Sequence, residues 1–206
     1  MRYTGPRNRI ARREGMDLGL KTPGSKSHAR LLKKLNVFPG QHGLKGRRKI
    51  SEHAYQLREK QKLRFLFGVT EKQLKKYYVI GTAKKGNTAF YLCQFLEKRL
   101  DNLVFRAGFA PTRASARQLV THGHINVNDK TVTVPSYVVK VDDIITFAKE
   151  KSTKIPYIEQ MLTNKDTILP KWLERKATVG KLIAEPTQEE IAKQINLRLV
   201  IEFYSR

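Results

Sequence analysis

The chain has 206 residues, 41 of them Lys or Arg against 18 Asp or Glu, a net charge of +23. That length allows one large domain or two small ones with real cores. The charge self-repels in a compact state unless a polyanion offsets it, so nucleic acid and an anionic membrane surface are the partners to weigh. No apolar run approaches the roughly 18 residues of a membrane-spanning helix. The opening MRYTGPRNRI lacks the apolar region of a secretory signal; it is Arg-rich like a transit peptide, but Gly5 and Pro6 spoil an amphipathic helix. The single Cys93 excludes an internal disulfide and a Cys-rich zinc site, and these features suit a reducing, cytosolic compartment.

Residues 1–92 hold 23 basic against 5 acidic side chains, or +18, leaving +3 for 93–160 and +2 for 161–206. Residues 1–50 are poor in apolar side chains and rich in Gly, Pro, Lys and Arg, with a turn at Pro39-Gly40-Gln41-His42-Gly43. They read as a basic N-terminal arm that folds onto phosphates, against the alternative of a solubilising tail. Residues 51–67 read as a helix capped by Ser51 and closed by Gly68, with Arg58, Lys60, Lys62 and Arg64 spread around it. Thr70 and Gln73 form a capping box that starts another helix, carrying Leu74, Tyr77 and Tyr78 towards a core.

After a break at Lys84–Asn87, Leu92, Phe95, Leu96, Leu100, Leu103, Val104 and Ala107 make one apolar helical stripe ending at Gly108. Thr112 caps a second helix running to about His122, with Ala116, Leu119 and Val120 on its inner side. Arg113 and Arg117 lie one turn apart on another face, beside Ser115, Gln118 and His122. Ile125 and Val127 answer Val132 and Val134 across a turn at Asn128-Asp129-Lys130. Such a surface suits folded RNA.

Tyr137, Val139 and Val141 alternate as a further strand, Asp142-Asp143 turns the chain, and Ile144 to Phe147 supplies a last strand. A linker leads to a short helix around Tyr157–Leu162. Residues 163–186 read as irregular, anchored by Trp172, and Thr187–Glu190 is a second capping box. The ending NLRLVIEFYSR alternates Leu197, Leu199, Ile201 and Phe203, which reads as an extended segment with one buried face, returning to pack on the first half. There is no phosphate-cradling Gly-rich loop, nucleophile elbow or HExxH pair. His122 and His124 flank Gly123 without a nucleophile or carboxylate to support them, so RNA contact precedes structural hydrogen bonding and, last, catalysis.

Residues 99–134 resemble the S-four RNA-binding domain, a module shared by ribosomal proteins, pseudouridine synthases, tyrosyl-tRNA synthetases and a heat-shock protein. The flanks choose among these: Pro39 to Gly43, Gln56 to Lys62, Arg12-Arg13-Glu14-Gly15 and the ending Phe203-Tyr204-Ser205-Arg206 are similar to the bacterial-type small-subunit ribosomal family named after the domain. The resemblance covers essentially the whole chain. It implies an α+β fold: a basic N-terminal arm (1–50), a mostly helical discontinuous lobe (51–92, completed by a C-terminal return segment 163–206), and an inserted αL-type S-four domain (93–162) of two helices and a small antiparallel sheet.

The family's partners would be 16S rRNA, whose 30S body it nucleates, the neighbouring ribosomal protein S-five, and mRNA near the entry channel, with a part in decoding accuracy. No membrane, small-molecule substrate or catalysis is implied, and no cofactor. Many relatives carry four N-terminal cysteines that bind zinc; here the positions around Arg7, Arg9 and Arg12 hold none, which implies a zinc-free version. The RNA-binding candidates in the S-four domain are Arg99, Arg106, Arg113, Arg117, Gln118, His122, His124 and Lys130. In the arm and lobe they are Arg2, Arg7, Arg9, Arg12, Arg13, Lys45, Arg47, Arg48, Lys49, Arg58, Lys60, Lys62 and Arg64. An RNA-modifying enzyme would need a further catalytic domain, and a heat-shock-type RNA binder leaves residues 1–92 unexplained.

Overall fold

A computed structural model of the chain describes residues 3–45, 49–163 and 168–205. In order they form α1 (Arg7–Glu14), α2 (Lys26–Lys33), α3 (Glu52–Phe67), α4 (Glu71–Thr82), α5 (Thr88–Glu97), α6 (Leu100–Arg106) and α7 (Arg113–Thr121). Then come β1 (Ile125–Val127), β2 (Lys130–Thr131), β3 (Ile144–Phe147), α8 (Glu150–Thr153), α9 (Pro156–Thr163), β4 (Leu173–Lys176), β5 (Val179–Leu182), α10 (Glu189–Ala192) and α11 (Leu197–Ser205). The fold is α+β, in two compact units: Met1–Leu92 with Glu189–Arg206, and Cys93–Gln188. The return segment expected from residue 163 therefore joins the first unit only from Glu189.

In the first unit, the segment expected as an extended arm is folded. Gly15, at φ 69°, ends α1, and Ser25 caps α2 by accepting from the His28 N–H. Their apolar contribution is small but buried: Ile10, Ala11, Leu18 and Leu31. Polar cross-links add to it. Arg7 donates to the Leu20 carbonyl at 3.1 Å, Asn8 to that of Ser27 at 3.0 Å, and Arg12 to those of Val37 and Phe38 at 2.9 and 3.1 Å. Hydrogen bonds to charged groups contribute about 1.5–3 kcal/mol each, enough together to order a segment with a thin core.

The helix expected over 51–67 forms as α3, with Ser51 accepting from the Ala54 N–H and Gly68 at φ 62° stopping it. The capping box at Thr70–Gln73 opens α4. The chain's ending is a helix, not a strand: α11 buries Leu197 and Val200. A short run of Leu, Val and Ile fits either period, and here contacts with α3 and α4 decide. Asn196 N–H donates to Glu59 at 3.0 Å, Gln56 donates to Glu202 at 3.3 Å, and the Tyr204 hydroxyl donates to Glu71 at 2.6 Å.

The second unit packs α6 and α7 with an antiparallel sheet of order β2-β1-β3-β5-β4. The β1–β2 hairpin turns through Asn128 and Asp129, both at positive φ, pairing Val127 with Lys130 and Asn126 with Thr131. Leu100, Leu103, Val104, Ala107, Ala116, Leu119, Val120, Ile125, Ile145, Trp172 and Leu182 form its core. Three expectations are corrected. The apolar stripe from Leu92 to Ala107 is buried apart from half-buried Phe95, but the helix breaks at Lys98–Arg99, where Arg99 has φ −66° and ψ 136°. The segment expected as the strand 137–141 sits at that break instead: the carbonyls of Tyr137 and Pro135 accept from the Leu100 and Asp101 N–H groups at 2.9 and 3.2 Å. It thereby satisfies donors that the first turn of any helix leaves orphaned. The stretch expected as irregular contains the β4–β5 hairpin, which extends the sheet through Ile145–Gly180 pairing.

Candidate nucleic-acid interface

The helix break in the second unit gathers charge. Arg99 is fully buried and clasps Asp101 with two donors, at 3.0 and 2.7 Å. Arg117, one turn into α7, reaches the same carboxylate at 3.5 Å. Glu97, also buried, accepts from Arg106 at 3.1 and 2.6 Å and from the Asn102 amide at 2.5 Å. Asn102 in turn accepts from Arg113 at 2.8 Å, and the Arg113 guanidinium lies 4.5 Å from the centre of the Phe105 ring. Two buried carboxylates and an amide thus hold four guanidinium groups in fixed orientation, with net positive charge left over. A planar fork held this way suits bidentate contact with phosphate.

Of the expected candidates here, Arg113 and Arg117 are partly exposed, Arg106 less so, and Gln118, His122 and Lys130 are open to solvent. His124 is half-buried, with Nδ1 3.0 Å from the Ser152 hydroxyl. Arg99 is removed from the set: it is a buried anchor. Glu97, Asp101 and Asn102 were missed, although Glu97 and Asp101 stand four residues apart within an apolar stripe, where a carboxylate needs a cation.

In the first unit, Arg9, Arg13, Lys45 and Lys49 are exposed, whereas Arg7 and Arg12 are half-buried on their carbonyls. Arg2, Arg47 and Arg48 lie outside the described residues. Arg58 donates to the Arg13 carbonyl at 2.9 Å, Lys62 to Glu59 at 2.5 Å, and Arg64 lies over Phe65. Lys60 is corrected: it is buried, 2.9 Å from Glu71 and over the Phe203 ring. Burial would raise the Glu71 carboxyl, but hydrogen bonds from Tyr204 and Lys60, with the charges of Lys60 and Arg64, hold it below its ordinary range. Exposed cations missed by the sequence reading are Lys26, Arg30 and Lys33 on α2 with Lys34 at its C-cap, and Lys72, Lys75 and Lys76 on α4. Their helical spacing was the available signal.

The residues at the arm's start do not fit a zinc ion: Arg7 and Arg12 are donors to carbonyls, and no Cys or His stands beside them in the sequence. Among the described residues, no three His, Cys, Asp or Glu side chains come together as metal ligands. Cys93 is buried, which with the nearby Glu97 pushes its thiol up to about 12 and keeps it neutral.

Comparison with known proteins places these features in context. Residues 2–97 match the profile described as "Ribosomal protein S4/S9 N-terminal domain", and 98–145 match that of the "S4 domain". The chain is 46% identical over 213 residues to the small ribosomal subunit protein uS4 of Aquifex aeolicus, covering 100% of this chain and 99% of that protein. It is 44% and 43% identical to the proteins of that name from Akkermansia muciniphila and Desulfitobacterium hafniense, over 208 and 207 residues and with the same coverage.

Proposed function

The chain belongs to the ribosomal protein S4 family, structural proteins of the small ribosomal subunit and not enzymes, and from that premise we propose that it is a primary 16S rRNA-binding protein of the 30S body. The observation that carries this reading is the guanidinium array of Arg106, Arg113 and Arg117, fixed by Glu97, Asp101 and Asn102 beside exposed Gln118, His122 and Lys130. A-form RNA offers phosphates and 2′-hydroxyls more readily than base edges, so an array held in one shape recognises a junction by its backbone path. The exposed cations of the first unit add sequence-independent attraction, which weakens as salt rises.

On this reading the protein resides in the cytoplasmic small subunit, contacts ribosomal protein S-five and contributes to decoding accuracy. Lys45, Arg47, Arg48 and Lys49 would line the mRNA entry channel. The decisive experiment is reconstitution: the purified chain should bind 16S rRNA at moderate salt and stay on small subunits through a high-salt wash. Neutralising Arg47, Arg48 and Lys49 should leave that binding intact and impair passage of structured mRNA. Loss of assembly in this variant would place those side chains on rRNA instead.

A further inference from the structure

The first unit contains a cleft of about 770 Å3, a size in the range of small-molecule sites. Its walls combine two kinds of group. Aromatic rings come from Tyr3, Phe38 and Phe65, with Tyr3 and Phe65 edge to face at 5.7 Å between centres. Cations come from Arg9 and Arg13, both exposed, and from Arg58 and Arg64. The last two already lie against rings: the Arg58 guanidinium is 5.6 Å from the Phe38 centre and that of Arg64 is 4.5 Å from Phe65. Among the described residues Glu14 is the one carboxylate in the lining, so the charge of the cleft is strongly positive. Gln61 lines it too.

We propose that this cleft accepts one unstacked nucleotide of the RNA that the protein binds. The base would lie against the Phe38 and Phe65 rings, and its phosphate would face Arg9 and Arg13. This inference rests on the rRNA-binding reading and deepens it by naming a site outside the S4 domain. The chemistry favours a nucleotide over a bare anion, because the walls offer aromatic and guanidinium planes, whereas a bare phosphate uses charge alone. RNA-binding proteins splay single bases onto aromatic and guanidinium planes in this way.

The test uses the full chain and 16S rRNA. Ultraviolet crosslinking of the complex, followed by mapping of the adducted peptide, should attach a single nucleotide at Tyr3, Phe38 or Phe65. Phe38→Leu should lower rRNA affinity by about tenfold at constant salt slope, the size expected for losing one stacking platform. Tyr3→Ala, at the half-exposed rim where folding is not at stake, should lower it by a smaller factor and reduce the crosslink yield. Wild-type binding of 16S rRNA with no adduct on these rings, and full affinity in the Tyr3→Ala variant, would overturn the nucleotide site while leaving the rRNA-binding reading intact. Failure of the wild-type chain to bind 16S rRNA at all would overturn both.

Discussion

The two units hold their positive charge in opposite ways. In residues 1–92 the excess is +18, and much of it stands in solvent on helix faces, at Lys26, Arg30, Lys33 and Lys34 and at Lys72, Lys75 and Lys76. In Cys93–Gln188 there are 15 basic and 10 acidic side chains, and the arginines nearest the helix break are tied to buried carboxylates. Exposed lysines attract a polyanion from any direction and lose force within a Debye length of about 8–10 Å. Guanidinium groups locked by Glu97 and Asp101 add little net charge but fix the direction of contact. The first arrangement supplies attraction; the second supplies orientation.

The largest way to break this contrast is to remove a lock. Asp101→Ala removes the carboxylate that the fully buried Arg99 clasps, and breaking a buried pair on one side costs about 3–5 kcal/mol. Urea unfolding should show that loss as a lower midpoint. A loss under about 1 kcal/mol would mean that Asp101 is dispensable as an anchor. Next in size, Arg113→Ala with Arg117→Ala should cost about tenfold to a hundredfold in 16S rRNA affinity, of the order expected for losing oriented charged hydrogen bonds. An unchanged affinity at matched salt would put the RNA-binding face elsewhere.

A smaller effect is expected from the attracting surface. Lys26→Gln, Arg30→Gln and Lys33→Gln together should reduce the salt dependence of binding by about one phosphate each, without changing preference between RNAs. A changed preference would mean that α2 reads shape as well. Smallest is a pH effect in the first unit. Glu71 has its folded pKa lowered, so its stabilising contribution is present above the unfolded value, about 4.5, and fades as pH falls through the folded value. Glu71→Gln should therefore unfold with a flatter acid limb below about pH 5 than the parent, read by thermal unfolding at stepped pH. Parallel acid limbs would show that Glu71 has no such role.

How much of this was legible beforehand depended on whether a signal was local. Ser51, Thr70, Thr112 and Gly68 act within one helical turn, and each marks its helix end as expected. The helices α1 and α2 were hidden because Ile10, Ala11, Leu18 and Leu31 are too few to make a period, and their order also rests on arginines reaching carbonyls 13 to 26 residues away. The β4–β5 hairpin lacks an Asn-Gly signal; Ala177 takes the positive φ of its turn. At the site, charge type was readable but burial was not. Arg99 and Lys60 looked like their exposed neighbours in sequence, and only folding around Asp101 and Glu71 turned them inward.

The contrast between attraction and orientation is tested most directly by a charge-preserving change. Arg113→Lys with Arg117→Lys keeps both charges and discards the planar fork. Its 16S rRNA affinity should be measured beside the parent's from about 0.05 to 0.5 M salt, on logarithmic axes. Orientation by locked guanidinium groups predicts two parallel lines, the variant weaker by about tenfold throughout. Coincident lines would contradict it, because charge alone would then account for everything the second unit contributes.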